Sequence, residues 1–163
     1  MKYIAHRGLI DGPNENLEND PEHIILTLSK GFDCEVDLWR VNNKWFIGHD
    51  GPFYEVGEDF VGKHGLWLHC KNLDALYELS IRTFRYEFFW HQEDDFTLTS
   101  GGYIWTYPGK DLTTNSIAVQ PEAKEEWWEW TKNLNSLYGV CTKHVKRFIT
   151  ETSTMSVGTT TKL

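Results

Sequence analysis

Two carboxylates at alternate positions are the first residues of this chain whose types and spacing could do chemistry. Glu35 and Asp37 lie in the segment 32–39, which the intervening apolar residues predict to be a buried β-strand. Because successive side chains on a strand point to opposite faces, both carboxylates lie on one face. Two such charges repel each other unless one takes a proton or a cation neutralises them. Mg²⁺ and Ca²⁺ prefer carboxylate oxygens, so the pair indicates a metal site, with a solvated polar face as the alternative.

Two histidines close the predicted strands that come directly before and after the carboxylate strand. His6 comes directly after the first apolar segment and is followed by Arg7 and Gly8, and His49 closes a later one and is followed by Asp50. A histidine can accept or give a proton near neutral pH, and an arginine before a turn can receive a phosphoryl group. Three successive strands therefore end in groups that phosphodiester cleavage requires. For each histidine alone, a hydrogen-bonded position at the rim of the sheet is the alternative.

The elements that must position these residues alternate between strand and helix patterns. The predicted strands are 3–5, 32–39, 44–49, 66–70, 84–90, 103–106, 117–119 and 138–141, and the predicted helices are 21–30, 73–81 and 121–134. This pattern favours an α/β fold, a compact and minimal TIM-type (β/α)8 barrel with several helices reduced to loops, because such barrels usually need about 200 residues or more. An open α/β sheet is the alternative. We expect residues 1–150 to form this single domain and the polar segment 151–163 to be a disordered tail.

Four short motifs and one lysine occur in a fixed order along the first half of the chain. They are His6-Arg7-Gly8, Asn14-Glu15-Asn16, Glu35-Val36-Asp37, Gly48-His49-Asp50 and Lys71. In order and spacing they resemble the glycerophosphodiester phosphodiesterase family, within the phospholipase-C-like phosphodiesterase superfamily. Beyond Lys71 the similarity is one of pattern only.

The resemblance implies a fold, an activity and a role for each motif. It implies a TIM-type barrel in which His6 and His49 are the general acid and base. It implies that Glu15, Glu35 and Asp37 hold a divalent metal, while Arg7 and Lys71 contact the substrate phosphate. In this family a neighbouring substrate hydroxyl commonly attacks phosphorus, and the products are an alcohol and a phosphomonoester. We therefore expect a metal-dependent phosphodiester hydrolase acting on a small glycerophosphodiester-like substrate.

Three departures from the family pattern bear on the metal and the substrate. The family usually has Glu at the position of His69, which either binds the metal through nitrogen, favouring Mn²⁺ or Zn²⁺, or leaves a weaker site. The first loop has one extra residue before Glu15, so Glu18 is an alternative ligand. The segment 50–66 lacks the family's usual insertion, which predicts an open, shallow pocket and leaves the alcohol undetermined. A non-catalytic barrel that binds a phosphorylated ligand is the rival hypothesis.

Three residues in the second half of the chain fall at predicted strand ends. His91, Trp105 and Gln120 could each face the pocket, although Trp105 fits core packing equally well. The tryptophans within 127–130 are predicted to pack one face of the helix 121–134. Sugar binding through tryptophan is a weaker hypothesis, because these residues fall within strands or on an apolar helix face.

Composition limits the partners. The formal net charge of −8 argues against the clustered basic surface that nucleic acid binding needs, so a small anionic substrate is the expected partner. No apolar segment approaches the roughly 18 residues of a membrane span, and the polar residues after position 5 do not suit a signal peptide. The three cysteines are predicted to be buried free thiols of a reducing compartment, which favours a cytoplasmic protein. The oligomeric state is left open.

Overall fold

The backbone forms one mixed sheet of ten strands in the computed structural model, which describes residues 1–82, 86–125 and 136–157. The strands are β1 (Lys2–Ala5), β2 (Asp33–Val41), β3 (Lys44–Ile47), β4 (Tyr54–Val56), β5 (Leu66–Cys70), β6 (Glu87–Trp90), β7 (Phe96–Leu98), β8 (Ile104–Thr106), β9 (Ser116–Val119) and β10 (Gly139–Thr142). The α-helices of the described residues are α1 (Pro21–Ser29), α2 (Glu58–Val61), α3 (Leu73–Ile81) and α4 (Val145–Val157). Short 3₁₀ turns cover His6–Gly8 and Pro121–Ala123.

Seven of the strands are parallel to their neighbours. They follow one another in the order β6, β5, β2, β1, β10, β9 and β8. Three strands run antiparallel: β3 against β2, β4 against β3, and β7 against β8. The carboxyl ends of the seven parallel strands meet at one edge, which we call the carboxyl edge, and their amino ends meet at the opposite amino edge.

The expected (β/α)8 barrel is wrong. The sheet is mixed, and the helices of the described residues do not alternate with its strands. The connection at Asn42 and Asn43 shows the reason, since their φ angles of 49° and 63° form a two-residue hairpin turn. Two residues cannot make the crossover that a parallel strand needs, so β3 returns antiparallel along β2. The strands β4 and β7, which the sequence patterns do not predict, extend the sheet at its ends.

One face of the sheet packs against the helices. The alternation of β2 places Cys34, Val36 and Leu38 on this face, where all three are fully buried. Ile24 of α1 and Leu79 of α3 lie in the same apolar cluster. The period of two therefore holds as predicted, and it leaves the two carboxylates of β2 on the opposite face, which we call the site face.

The site face has three levels between the amino and carboxyl edges. Its middle level is apolar and contains Ile4, Trp67, Phe89, Trp105, Ile117, Val119 and Cys141. Trp105 is 4% exposed and stacks on Phe89 with ring centroids 4.4 Å apart, so it is a packing residue of this level. The middle level separates the polar residues of the two edges.

The composition predicts a disordered tail for the segment 151–163. The helix α4 extends to Val157 and so includes the first part of that segment. Its buried Val145 and Phe148, three residues apart, pack it on the sheet. Because polar residues surround this pair, the sequence shows no clear helical pattern there. Residues 126–135, with most of the expected helix 121–134 and its tryptophans, lie outside the described residues, as do residues 158–163.

The three cysteines are buried and unpaired, as expected. Within the described ranges, none of the helices combines the length and the apolarity that crossing a membrane requires.

Candidate metal and phosphate site

Two buried carboxylates and one imidazole form the centre of the candidate site. Glu35 and Asp37 on β2 are 2% and 1% exposed, and His69 on β5 is paired in register with Asp37. His69 Nδ1 lies 3.1 Å from Asp37 Oδ1 and 3.7 Å from Glu35 Oε1. One potential ligand atom from each of the three residues lies within 4.8 Å of the others. Two carboxylate oxygens and one nitrogen suit a divalent cation such as Mg²⁺ or Mn²⁺.

The orientation of His69 is fixed by contacts outside the cluster. Its Nε2 donates to the backbone oxygen of His91 at 2.9 Å, and its ring stacks on Phe89 with centroids 5.1 Å apart. Nδ1 therefore faces the carboxylates, as a metal-binding histidine requires. Burial alone would lower the pKa of His69, but its contacts with Asp37 and Glu35 raise it to about 9. A proton and a metal ion thus compete for the same nitrogen.

Five side chains converge on the carboxylate of Asp37. Its Oδ1 contacts His69 and lies 3.4 Å from Lys71 Nζ, while its Oδ2 lies 2.9 Å from Asn19 Nδ2, 3.2 Å from Arg7 Nε and 3.3 Å from His49 Nδ1. Burial opposes ionisation, but the hydrogen bonds from His49 and His69 hold the pKa of Asp37 well below its usual value. This carboxylate is therefore ionised and fully surrounded by donors.

Arg7 links both carboxylates to the first loop. Its backbone N–H donates to Glu35 Oε2 at 3.0 Å, and its guanidinium donates to Glu18 Oε2 at 2.6 Å and to His49 Nε2 at 3.1 Å. The turn that allows this has a φ of 52° at Arg7 and of 82° at Gly8. Although burial opposes its charge, Asp37 and Glu35 raise the pKa of Arg7. Arg7 thus remains charged at the centre of the site.

His6 lies beside the other carboxylate. It is 7% exposed, and its Nε2 is 3.9 Å from Glu35 Oε2. Gln120 Nε2 donates to His6 Nε2 at 2.7 Å, so that nitrogen carries a lone pair. Gln120 follows β9 with a φ of 41°, which turns its side chain toward the cluster. Burial is the main cause that lowers the pKa of His6, so the ring is neutral at pH 7.

The first loop brings Glu18, and not Glu15, to the cluster. The loop turns at Asn14, whose backbone oxygen accepts from the N–H groups of Leu17 and Glu18 at 3.0 and 3.2 Å. This turn leaves Glu15 exposed, and the described metal-binding group consists of Glu35, Asp37 and His69. Glu18 binds Arg7 and Lys143 and makes no part of that group. Its role is to hold two cations at the carboxyl edge.

Sequence reasoning missed two residues of this site. Asn19 binds both the side chain and the backbone of Asp37, since its Nδ2 donates to the carboxylate and its Oδ1 accepts from the backbone N–H of Asp37 at 2.9 Å. Its φ of 55° is one that asparagine tolerates, which is the one local signal it offers. Lys143 follows β10, and its backbone N–H donates to Glu122 Oε1 at 3.0 Å. The neighbouring position of β1 and β10, which the barrel hypothesis implied, could have indicated it.

His91 lies next to the cluster, at the end of β6. Its ring centroid is 6.2 Å from that of His69 and 5.8 Å from that of Tyr107. Its Nδ1 is buried and has no hydrogen-bond partner among the described residues. Burial, followed by the nearby His69, lowers the pKa of His91. A neutral ring with an unused nitrogen at this position is available to a bound molecule.

Comparisons with known proteins add no family assignment. No family model, curated protein or solved structure matches the chain.

Proposed function

We propose that this chain is a metal-dependent phosphodiester hydrolase acting on a small glycerophosphodiester-like substrate, as the resemblance of its motifs to the glycerophosphodiester phosphodiesterase family implies. One observation carries the proposal: His6 and His49 flank the same buried carboxylate pair, one beside Glu35 and the other beside Asp37. Residues from distant parts of the chain thus place two imidazoles and two acids together.

Each charged group around the pair has a function in this proposal. A divalent cation held by Glu35, Asp37 and His69 would draw negative charge from the phosphate oxygens. The cationic groups of Arg7 and Lys71 lie 3.2 and 3.4 Å from Asp37 and would bind the same phosphate. Both contributions act on charge that grows in the transition state.

The two histidines would move the protons. Neutral His6 has a lone pair on Nε2 and can take a proton from the attacking group, which is either a water molecule or a neighbouring substrate hydroxyl that water later displaces from phosphorus. The oxygen of the attacking group forms the new bond to phosphorus. His49 is 41% exposed, and Oδ2 of Asp37 lies 3.3 Å from its Nδ1. We assign to His49 the proton that the departing alcohol oxygen receives as its bond to phosphorus breaks. Each transfer contributes about 10²–10⁴-fold to the rate.

Hydrolysis of glycerophosphodiesters and of bis-(p-nitrophenyl) phosphate, with and without chelator, tests the proposal. We expect chelator to abolish turnover, and His6→Ala and His49→Ala each to lower kcat by about 10²-fold or more. His64→Ala is the matched control, because His64 is exposed and lines a cavity at the amino edge. Undiminished turnover in either cluster variant contradicts the acid and base assignment.

A second candidate function is the binding of a phosphorylated ligand without catalysis. It is favoured by the cations that already surround Asp37, since Arg7, Lys71 and His69 neutralise the pair by themselves. Calorimetric titration of glycerol phosphate separates the two functions. Equal affinity with and without chelator, together with no turnover in Mg²⁺ or Mn²⁺, supports the binding function, whereas metal-dependent turnover supports the hydrolase.

A further inference from the structure

A cavity at the amino edge of the sheet has no role in the proposed function. Its volume is about 540 Å³, and it is lined by the residues that begin strands β1, β2, β5 and β6 and by those that precede β8 and β10. Small-molecule sites commonly measure about 300–1,000 Å³. The apolar middle level separates this cavity from the carboxylate cluster.

Aromatic rings form one wall of the cavity. Trp67 and Tyr103 have ring centroids 5.6 Å apart, and Tyr103 stacks on Tyr138 at 3.8 Å. The indole N–H of Trp67 donates to Asp33 Oδ2 at 3.0 Å, which fixes the orientation of that ring. A rigid aromatic wall of this kind binds flat rings by offset stacking or edge contacts.

Within the part of the chain that the structure describes, one cation that lines the cavity has no ion pair. Asp33 is neutralised by Lys2, whose Nζ is 3.1 Å away, and Arg82 pairs with Glu78 at 2.7 Å. Glu87 accepts from the backbone N–H of Gly101 at 3.0 Å. Lys63 lines the same cavity and has no ion-pair partner among the described residues. The carboxylate of Glu87 also has no ion pair among these residues, so Lys63 is the cation of the lining that can pair with the anionic group of a ligand.

We propose that this cavity is a second binding site, for a small molecule that combines one flat aromatic ring with one anionic group, as a nucleoside monophosphate does. The ring packs against Tyr103 and its neighbours, and the anion pairs with Lys63. The proposal stands on the amino-edge residues alone, so it is independent of catalysis at the carboxyl edge.

Calorimetric titration with AMP, in the presence of chelator, tests this site. Adenosine and inorganic phosphate supply the ring and the anion separately, and both are expected to bind more weakly than AMP. Lys63→Gln is expected to weaken AMP binding roughly tenfold, the effect of one charge-assisted hydrogen bond, and to leave adenosine binding unchanged. Tyr103→Leu is expected to weaken both, with circular dichroism showing that each variant folds.

A variant at the carboxyl edge tests where AMP binds. Glu35→Gln changes the carboxyl-edge cluster and is expected to leave AMP affinity unchanged. Loss of AMP binding in Glu35→Gln, with normal binding in Lys63→Gln and Tyr103→Leu, places the ligand at the carboxyl edge and overturns the proposal. It is also overturned if AMP does not bind at millimolar concentration, or if phosphate alone binds as tightly.

Discussion

Asp33 and Asp37 lie on the same strand and the same face of the sheet, yet at opposite edges they are held in different ways. The side chain of Asp33 is 14% exposed and contacts Lys2 and Trp67. The side chain of Asp37 is 1% exposed and receives contacts from five side chains. Burial explains the difference. A buried carboxylate needs hydrogen bonds and counter-charges from the protein, whereas a partly exposed one is also hydrated by water.

The two edges of the sheet therefore differ in the chemistry that they offer. At the carboxyl edge, several ionised groups lie close together although burial disfavours their charged forms, an arrangement typical of catalytic and metal sites. The amino edge offers aromatic surface, a cavity and a lysine that has no ion pair with any described residue, an arrangement typical of ligand binding. Three comparisons between matched residues of the two edges test the contrast, and they follow in order of expected effect.

The largest difference is expected between the two aspartates. Asp37→Asn removes a buried counter-charge shared by Arg7, Lys71 and His69 and should lower the free energy of unfolding by about 3–5 kcal/mol. Asp33→Asn at the amino edge weakens one partly exposed ion pair and should lower it by about 1 kcal/mol or less. Urea unfolding of both variants measures the difference. Equal losses of stability in the two variants would contradict the proposed difference between a buried and a partly exposed aspartate.

Two glycines with positive φ provide the next comparison. Gly48 precedes His49 and has a φ of 149°, and a Cβ there would lie 2.3 Å from the backbone oxygen of Gly51. Gly102 at the amino edge has a φ of 85°, and a Cβ there meets nothing within 4 Å. Gly102→Ala should therefore cost about 1 kcal/mol from backbone strain alone, and Gly48→Ala about 3 kcal/mol. Thermal unfolding measures both, and a smaller loss in Gly48→Ala than in Gly102→Ala contradicts the close approach of Gly48 to Gly51.

The third comparison uses pH and two histidines. Because the folded-state pKa of His69 is about 9, its contribution to stability is fully present below pH 6.5 and is lost as the pH rises through 9. In the presence of chelator, the wild-type free energy of unfolding should fall by on the order of 2 kcal/mol across this window.

A pair of variants isolates this effect. His69→Gln should remove the fall, whereas His64→Gln, which changes an exposed histidine of the amino edge, should leave it in place. A fall that persists unchanged in His69→Gln assigns the titration to another group.

The sequence predicts much of the carboxyl edge because local rules determine it. The period of two correctly puts Glu35 and Asp37 on the face opposite Cys34, and all eight predicted strands correspond to strands of the sheet. The direction of β3 was predictable too, since the Asn42-Asn43 turn marks an antiparallel hairpin. The barrel hypothesis requires β3 to run parallel to its neighbours and therefore conflicts with that local signal.

Other features depend on contacts that no local pattern encodes. Asn19 reaches Asp37 because the loop before α1 folds back on β2, and Lys143 reaches Glu18 because β10 lies beside β1. The choice between Glu15 and Glu18 is set by the turn at Asn14. Strand β7 is three residues long and lies beside an acidic segment, so its periodicity is too short to recognise.

The position of β1 between β2 and β10 has a consequence for synthesis of the chain. Lys2 is registered with Gly139, which is 139 − 2 = 137 residues later. At about 5–20 residues per second, a ribosome needs roughly 7–27 s to deliver that partner. During this interval one side of β1 keeps its backbone donors and acceptors open, as an edge strand does. During synthesis, the strand that later becomes central is thus open to pairing with other molecules.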